Sequence, residues 1–432
     1  METQVDRSTL SLPIPDLSPL RAQFPALQQT DAHGRPYVFF DGPGGTQVPQ
    51  SVVDAMVHYM VCTNANTHGL YETSRRTDQL IEEARHAMAD FLNAPSPDEI
   101  IFGPNMTTLT FAISRAIART LRPGDEIVVT RLDHDANIAP WVALEEQGAV
   151  IRYVDFHPED CTLDMASLQD LINQRTRLVA VGYASNAVGT LNDVRTIAEW
   201  AHAAGAWLYV DAVHYAPHGP IDVQAVGCDF LVCSAYKFFG PHVGVLWGRY
   251  EILDQLKAYK VRPAGDRPPD KFETGTKNHE GIAGVKAAAD YLAEIGVLYG
   301  ADLATQYRHL EGRRRDLKAA LWAIRAYERP LLVRLIQGLQ SIPGVTLYGI
   351  TDPTRFDQRV PTVSFRMKGH TPQEIAQKLG DEGIFVWDGN YYAISVTERL
   401  GVEQSGGMVR VGIVHYNTIE EVDRFLNALE CL

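Results

Sequence analysis

Six short apolar runs recur between residues 99 and 234, and helical stretches separate them. They are EIIF (99–102), EIVVT (126–130), VIRYV (150–154), RLVAVGY (177–183), WLYVDA (207–212) and FLVCS (230–234). Runs that are apolar at nearly every position indicate strands buried on both faces, and their alternation with helices indicates a mostly parallel sheet. The pattern predicts an α/β core whose ligands bind beyond the carboxyl ends of the strands.

The length of the chain, 432 residues, predicts a large core and a smaller second unit. Residues 1–20 contain several Pro and Ser residues, and we expect them to form an N-terminal arm. Residues 21–300 are predicted to form the large domain. A charged helical stretch from about residue 302 to 339 would bridge it to a small α/β C-terminal domain, so that residues 301–432 form the second unit.

The formal net charge of −14 argues against a general nucleic-acid or anionic-membrane surface. Five scattered cysteines in so long a chain favour reduced thiols over a disulfide framework. The N-terminus lacks the charged lead and apolar core of a signal peptide, and no segment offers about 18 uninterrupted apolar residues. We therefore expect a cytoplasmic protein that binds a small molecule, but neither nucleic acid nor membrane.

A lysine and an aspartate follow two of the predicted strands. Lys237 lies in SAYKFFGP (234–241), directly after FLVCS. An amine that is partly desolvated among aromatic side chains loses its proton more readily, as a Schiff-base nucleophile must, although a snorkelling surface lysine shows the same local pattern. Asp211 ends WLYVD, where a carboxylate could pair with a pyridine nitrogen or merely cap the next helix. Together at one sheet edge, the two residues are a more specific signal than either alone.

Three other positions could serve a planar, phosphorylated ligand. His214 could hydrogen-bond a phenolic oxygen or pack under its turn, and His134, which follows EIVVT, could stack on a ring or cap a turn. The segment GPNMTT (103–108) follows EIIF and opens a helix. Free N–H groups there make a phosphate cradle, although an ordinary N-cap has the same sequence.

Taken in order, these elements resemble the class V aminotransferase family of fold-type I pyridoxal 5′-phosphate (PLP) enzymes, and most closely its SUF-type cysteine desulfurases. The resemblance extends from about Tyr37 to Ala428. The segments that carry it are YVFFDGPGGTQVP (37–49), NANTHG (64–69), DHDANIAPW (133–141), SNAVGT (185–190), DAVH (211–214), SAYKFFGP (234–241), FETGT (272–276) and RVGIVHYNT (410–418). It implies PLP as cofactor and an aspartate aminotransferase-like α/β fold, with a mostly parallel seven-stranded central sheet.

The resemblance also implies roles for individual residues around the cofactor ring. Lys237 would carry PLP as an internal aldimine and act as the base, and His134 would stack on the ring as the second catalytic residue. Asp211 would face the pyridine nitrogen. His214 would stand where a glutamine often meets the phenolic oxygen.

Further roles concern the phosphate of the cofactor. The amide of Met106, Thr107 and Ser234 would hold this phosphate. Thr276 would reach the phosphate of the neighbouring subunit's cofactor, so the resemblance implies a homodimer. The resemblance implies no metal ligands.

The substrate side of the site would contain Asn186, near the substrate and the ring, and Arg410, which would clamp the α-carboxylate by a bidentate pair. Here the sequence departs from the family. The loop that carries the persulfide-forming cysteine of the family, Gly-His-His-Cys-Ala, is matched by GNYYA (389–393), with Tyr392 in the place of the cysteine. Tyr392, which lines the substrate site, cannot form a persulfide.

The expected reaction is therefore β-elimination, in which the C–S bond of cysteine, cystine or a cysteine derivative is cleaved without an acceptor cysteine. Tyr391 or Tyr392 could protonate the leaving sulfur or shape the pocket. Alternatives are a desulfurase with another acceptor, an aminotransferase, or an epimerase whose second base is His68 or Tyr71. The sequence identifies no sulfur-acceptor partner.

Overall fold

The fold is described by a computed structural model that covers residues 14–432. The strands are β1 (Val38–Phe39), β2 (Ile100–Gly103), β3 (Glu126–Thr130), β4 (Val150–Val154), β5 (Phe156–His157), β6 (Thr162–Leu163), β7 (Thr176–Gly182), β8 (Trp207–Asp211), β9 (Phe230–Ser234), β10 (Gly244–Gly248), β11 (Val345–Tyr348), β12 (Thr362–Met367), β13 (Ile384–Phe385), β14 (Trp387–Gly389) and β15 (Met408–Gly412).

The α-helices surround these strands. They are α1 (Gln50–His58), α2 (Glu72–Leu92), α3 (Met106–Ala118), α4 (Ala139–Val142), α5 (Met165–Leu171), α6 (Val194–Ala203), α7 (Val223–Val226), α8 (Tyr250–Gln255), α9 (His279–Tyr299), α10 (Ala301–Ala304), α11 (Gly312–Ser341), α12 (Pro372–Asp381), α13 (Ile394–Arg399) and α14 (Ile419–Glu430). Among residues 14–432, no helix is both long and apolar enough to cross a membrane.

The central sheet has seven strands in the order β2-β10-β9-β8-β7-β3-β4. All run parallel except β10, which is antiparallel to both of its neighbours. The predicted α/β fold with a mostly parallel seven-stranded sheet is confirmed, and each of the six apolar runs forms a strand of this sheet. The seventh strand, β10, is missing from those runs because glycines at both of its ends leave only three apolar residues.

Gly244, the first residue of β10, allows a close approach that shapes one end of the sheet. A Cβ atom built there would lie only 2.4 Å from the backbone carbon of Asn105. No larger residue fits, because real Cβ atoms do not come so near to backbone. The glycine therefore lets the loop that opens α3 lie directly against the central sheet.

A second unit is built on the sheet β11-β12-β15-β14, with α11 and α14 packed nearby. Its core includes Val38 and Phe40 from the N-terminal part of the chain, while Phe39 between them packs in the main core. Successive side chains of a strand point to opposite faces, so β1 contributes side chains to both cores. The sequence prediction places this segment in the large domain alone. Its pairing with β13 joins it to the C-terminal unit as well.

The predicted N-terminal arm spans residues 1–20, of which residues 1–13 lie outside the described residues. Within the rest, Leu17 and Leu20 are buried in the main core. They pack there with Phe24, so the core begins before the predicted start of the large domain. For residues 1–13 the arm stays a prediction.

Candidate active site

Lys237 lies at the carboxyl end of the central sheet, in a short turn that follows β9. It is 9 % exposed, and its Nζ donates a hydrogen bond to the carbonyl of Pro43. Burial and, to a smaller extent, the positive charge of Arg410 lower the pKa of Lys237 to about 7, against the opposing effects of Asp211 and Asp41. A neutral amine at neutral pH is what a nucleophilic lysine requires.

The lowered pKa predicts how PLP attachment to the cofactor-free protein depends on pH. Only the unprotonated amine attacks an aldehyde, so the attachment rate should rise with pH and level off about one unit above pH 7. Stopped-flow absorbance after mixing with PLP measures this rate. A rate that still rises toward 10.5, the ordinary lysine value, contradicts the burial argument.

Asp211 ends β8, the neighbour of β9 in the sheet. Its Oδ1 accepts a hydrogen bond of 2.9 Å from the amide of Val213. Burial raises the pKa of Asp211 to about 6, against the effects of the Val213 amide and of Lys237. Because burial disfavours the charged carboxylate, a cationic partner such as a pyridinium nitrogen would stabilise it.

Two other carboxylates, the half-buried Asp41 and the buried Asp133, border this edge, and the sequence patterns do not single them out as ligands. Burial raises the pKa of Asp41 to about 6 and that of Asp133 to about 7. Asp133 is held by the amide of Gly182 at 2.9 Å and by the side chain of Asn137 at 2.7 Å. Both aspartates follow strands, β1 and β3, so the same strand-end rule that identified Asp211 would have found them.

The residues that are predicted to hold the phosphate lie together where α3 begins. Asn105 caps the helix through a 2.8 Å bond from the amide of Thr108. The amide of Met106 donates to Oγ of Ser234, at 3.1 Å, which brings the end of β9 to the helix N-terminus. Thr107 stands in the same first turn. The structure thus groups Met106, Thr107 and Ser234, as an anion at a helix N-terminus would require.

His134 follows β3 and stacks on Tyr392, with ring centroids 5.6 Å apart and planes 14° apart. Its Nδ1 accepts the amide of Ala136 at 3.0 Å. Burial, together with the charges of Lys237 and Arg410, lowers the pKa of His134 to about 4. A neutral ring whose Nδ1 is an acceptor carries its proton on Nε2.

Two further residues that are predicted to contact the cofactor, His214 and Thr276, lie in different surroundings. Nε2 of His214 bonds Oγ1 of Thr362, at 2.9 Å, so that contact with a phenolic oxygen would have to come from Nδ1. Thr276 is exposed, in the segment after Phe272, and no contact among residues 14–432 brings it to the site of its own chain. Its predicted role requires a second chain and stays a prediction.

Arg410 on β15 completes the site from the second unit. It is buried, and its Nη1 donates to the backbone carbonyl of Asn186 at 3.0 Å. The guanidinium lies over the ring of Tyr391, with Cζ 4.3 Å from the centroid. The side-chain amide of Asn186 donates to the carbonyl of Tyr391 at 2.9 Å. Sequence reasoning assigned no such contact to Tyr391.

The residues present fit PLP. Three buried polar atoms at this edge lack a hydrogen-bond partner within residues 14–432, namely Oδ1 of Asp41, Oδ1 of Asn186 and Nε of Arg410. Such atoms are costly unless a ligand satisfies them. A lysine with a lowered pKa, a carboxylate, a flat histidine ring and a helix N-terminus match the aldehyde, nitrogen, ring and phosphate of the cofactor.

Comparison with known proteins identifies the family of the chain. The model of the family "Aminotransferase class-V" matches residues 38–311 and 317–425. A probable cysteine desulfurase from Mycolicibacterium paratuberculosis is 34% identical over 96% of this chain, which spans only 58% of that relative. A cysteine desulfurase from Pectobacterium atrosepticum is 32% identical, over 95% of this chain and 96% of the relative.

Solved structures show the same fold. The apo cysteine desulfurase from Thermococcus onnurineus has a TM-score of 0.83 at 28% identity, covering 97% of this chain and 98% of that one. A cysteine desulfurase from Escherichia coli has a TM-score of 0.80 at 27% identity, with 96% and 98% covered. The chain therefore belongs to the class V aminotransferase family, whose members are PLP-dependent enzymes.

Proposed function

We propose that this enzyme cleaves the C–S bond of cysteine, cystine or a cysteine derivative by β-elimination. The observation that carries the proposal is a combination: Lys237 and Asp211 occupy the sheet edge, while Tyr392 replaces the loop cysteine of the desulfurases that the chain resembles. Elimination uses the lysine and needs no thiol acceptor. The relatives named cysteine desulfurases support sulfur-containing amino acids as the substrate class.

The five cysteines of the chain, all of which lie outside the loop that holds Tyr392, support the same proposal. Cys161, Cys228 and Cys233 are buried, and burial raises the pKa of each thiol, that of Cys161 to about 12. A thiol that stays protonated is a poor nucleophile. Cys62 and Cys431 are exposed, and neither belongs to the loop that holds Tyr392.

Bound PLP would withdraw electrons from the α-carbon of the substrate. The chain's own residues would then act as follows. Arg410 binds the α-carboxylate, and the amine of Lys237 removes the proton from Cα. The electron pair of that C–H bond forms the Cα–Cβ double bond as sulfur leaves Cβ with its bonding pair. Water completes the reaction, so that cysteine and water yield pyruvate, ammonia and sulfide.

The test is a product analysis with L-cysteine and with L-cystine. Equal amounts of pyruvate and ammonia, with sulfide from cysteine or a persulfide from cystine, are expected. Alanine together with persulfide on the protein would instead establish desulfuration with another acceptor and overturn elimination. Amino transfer that depends on a keto acid, without sulfur release, would overturn it as well.

Tyr392 is proposed to shape the pocket rather than to donate a proton. Its side chain is 75 % exposed and its ring is occupied by the stack with His134. Tyr392→Phe should therefore keep the rate of pyruvate formation within about threefold. A loss of ~10²-fold, the usual size of a general-acid contribution, would assign proton transfer to the hydroxyl.

The proposal includes a cytoplasmic homodimer. The exposure of Thr276 leaves it available to a second chain, and all five cysteines are unpaired. Light scattering of the purified protein measures the oligomeric state. In a dimer, Thr276→Ala should weaken PLP binding without changing the oligomeric state, whereas a monomer that binds PLP normally would contradict this part of the proposal.

A further inference from the structure

The contacts of Arg410 leave an edge of its guanidinium, the one that contains Nε, for a ligand. Tyr391 covers one face, 4.3 Å below Cζ. Nη1 is held by the carbonyl of Asn186, at 3.0 Å. Nε is buried and has no hydrogen-bond partner within residues 14–432. A carboxylate that binds an arginine through two parallel bonds needs such an edge, and a fixed guanidinium plane.

The ring of Tyr391 is itself fixed. Its hydroxyl donates to the carbonyl of Met408, and its own carbonyl accepts the side-chain amide of Asn186 at 2.9 Å. Tyr391 and Tyr392 both adopt left-handed backbone conformations, with φ of 58° and 59°. Non-glycine residues stay in this region only where surrounding contacts hold them there. The loop thus holds the ring of Tyr391 against Arg410 and the ring of Tyr392 against His134.

We propose that Tyr391 is a positioning residue that fixes the guanidinium plane of Arg410 and thereby sets the affinity for the α-carboxylate of the substrate. The inference rests on the proposed function, because it takes an amino acid as the ligand. The ring does the positioning, because the ring and not the hydroxyl contacts Arg410. The backbone contact with Asn186 holds the loop, and with it the ring, when the hydroxyl is removed. A cation that lies over an aromatic face in a desolvated site is attracted by the quadrupole of the ring.

The experiment compares two ligands that differ only in the carboxylate. L-alanine and ethylamine are titrated into the PLP-loaded protein, and the change in the visible spectrum gives the dissociation constant of each. Tyr391→Leu should raise the constant for L-alanine about tenfold and leave that for ethylamine unchanged. Tyr391→Phe, which keeps the ring and removes the hydroxyl, should keep both constants within about twofold of the parent values.

The ratio of the two constants is measured on one protein sample, so a variant that is only partly folded still reports it. An unchanged ratio in Tyr391→Leu overturns the inference. A Tyr391→Phe variant that loses the preference for L-alanine also overturns the inference. If Tyr391→Leu does not fold, the result with Tyr391→Phe alone tests the inference. Neither titration depends on sulfur release. A parent protein that prefers L-alanine but releases no sulfide from cysteine would contradict the proposed reaction and leave the role of Tyr391 unaffected.

Discussion

Lys237→Ala should lower the rate of pyruvate formation from L-cysteine by at least ~10³-fold, because the variant loses both the cofactor attachment and the base. The fold should persist, since alanine removes a buried amine whose charge is already disfavoured by burial. Asp211, His134 and the phosphate cradle remain, so the variant should still bind PLP, without a covalent link. Steady-state kinetics and the thermal melting curve measure the two effects.

Lys318 provides a matched control. It too is a buried lysine, and burial lowers its pKa to about 8. Its Nζ donates to the carbonyls of Phe91 and Ile221, away from the sheet edge that holds Lys237. Lys318→Met should reduce stability but keep turnover per bound cofactor. If both lysine variants lost turnover alike, burial alone would explain the first result, and the assigned role of Lys237 would fail.

Glu273→Ala should lower the free energy of unfolding by about 3–5 kcal/mol, the usual cost of removing one partner of a buried ion pair. Glu273 forms a bidentate pair with Arg85, with distances of 2.8 and 2.7 Å, and also accepts the amide of Phe102 at 2.8 Å. Both charged side chains are almost entirely buried. The variant leaves Nη2 of Arg85 and the amide of Phe102 without their acceptor, and it removes the ion-pair partner of Lys277, while Nη1 of Arg85 keeps the carbonyl of Ile100. Denaturant unfolding measures the loss.

A double variant separates the ion pair from simple packing. Replacing both partners, Arg85→Met with Glu273→Leu, removes the charges together and should cost less than Glu273→Ala alone. A double variant that is less stable than the single one would show that the pair itself is strongly stabilising. Glu273 lies three residues before Thr276. The single variant should therefore also loosen the segment that we propose to reach a second chain.

The local patterns of the sequence were sufficient to predict six of the seven strands of the central sheet. Lys237 and Asp211 could be found because each directly follows an apolar run, and parallel strands bring their carboxyl ends to one edge. The helix N-terminus at Met106 was equally local. Its contact with Ser234 then followed from the adjacency of α3 to β9 and β10.

Contacts between distant segments could not be predicted in this way. Pro43, which accepts a hydrogen bond from Lys237, comes from the N-terminal part of the chain, and Thr362, which bonds His214, comes from the second unit. No periodicity relates such segments. The position of Tyr391 under Arg410 depends on two left-handed residues in succession, a conformation that tyrosine rarely adopts and that local propensity therefore argues against.

The central claim is that Lys237 holds the cofactor, and reduction with borohydride tests it most directly. The protein is incubated with PLP, reduced, digested and analysed by mass spectrometry. We predict a visible absorption band that the reduction abolishes, and a reduced PLP adduct on the peptide that contains Lys237. Lys318, another buried lysine whose pKa is lowered by burial, should carry none. An adduct on Lys318 or on surface lysines instead of Lys237, or no band at all, would contradict the account.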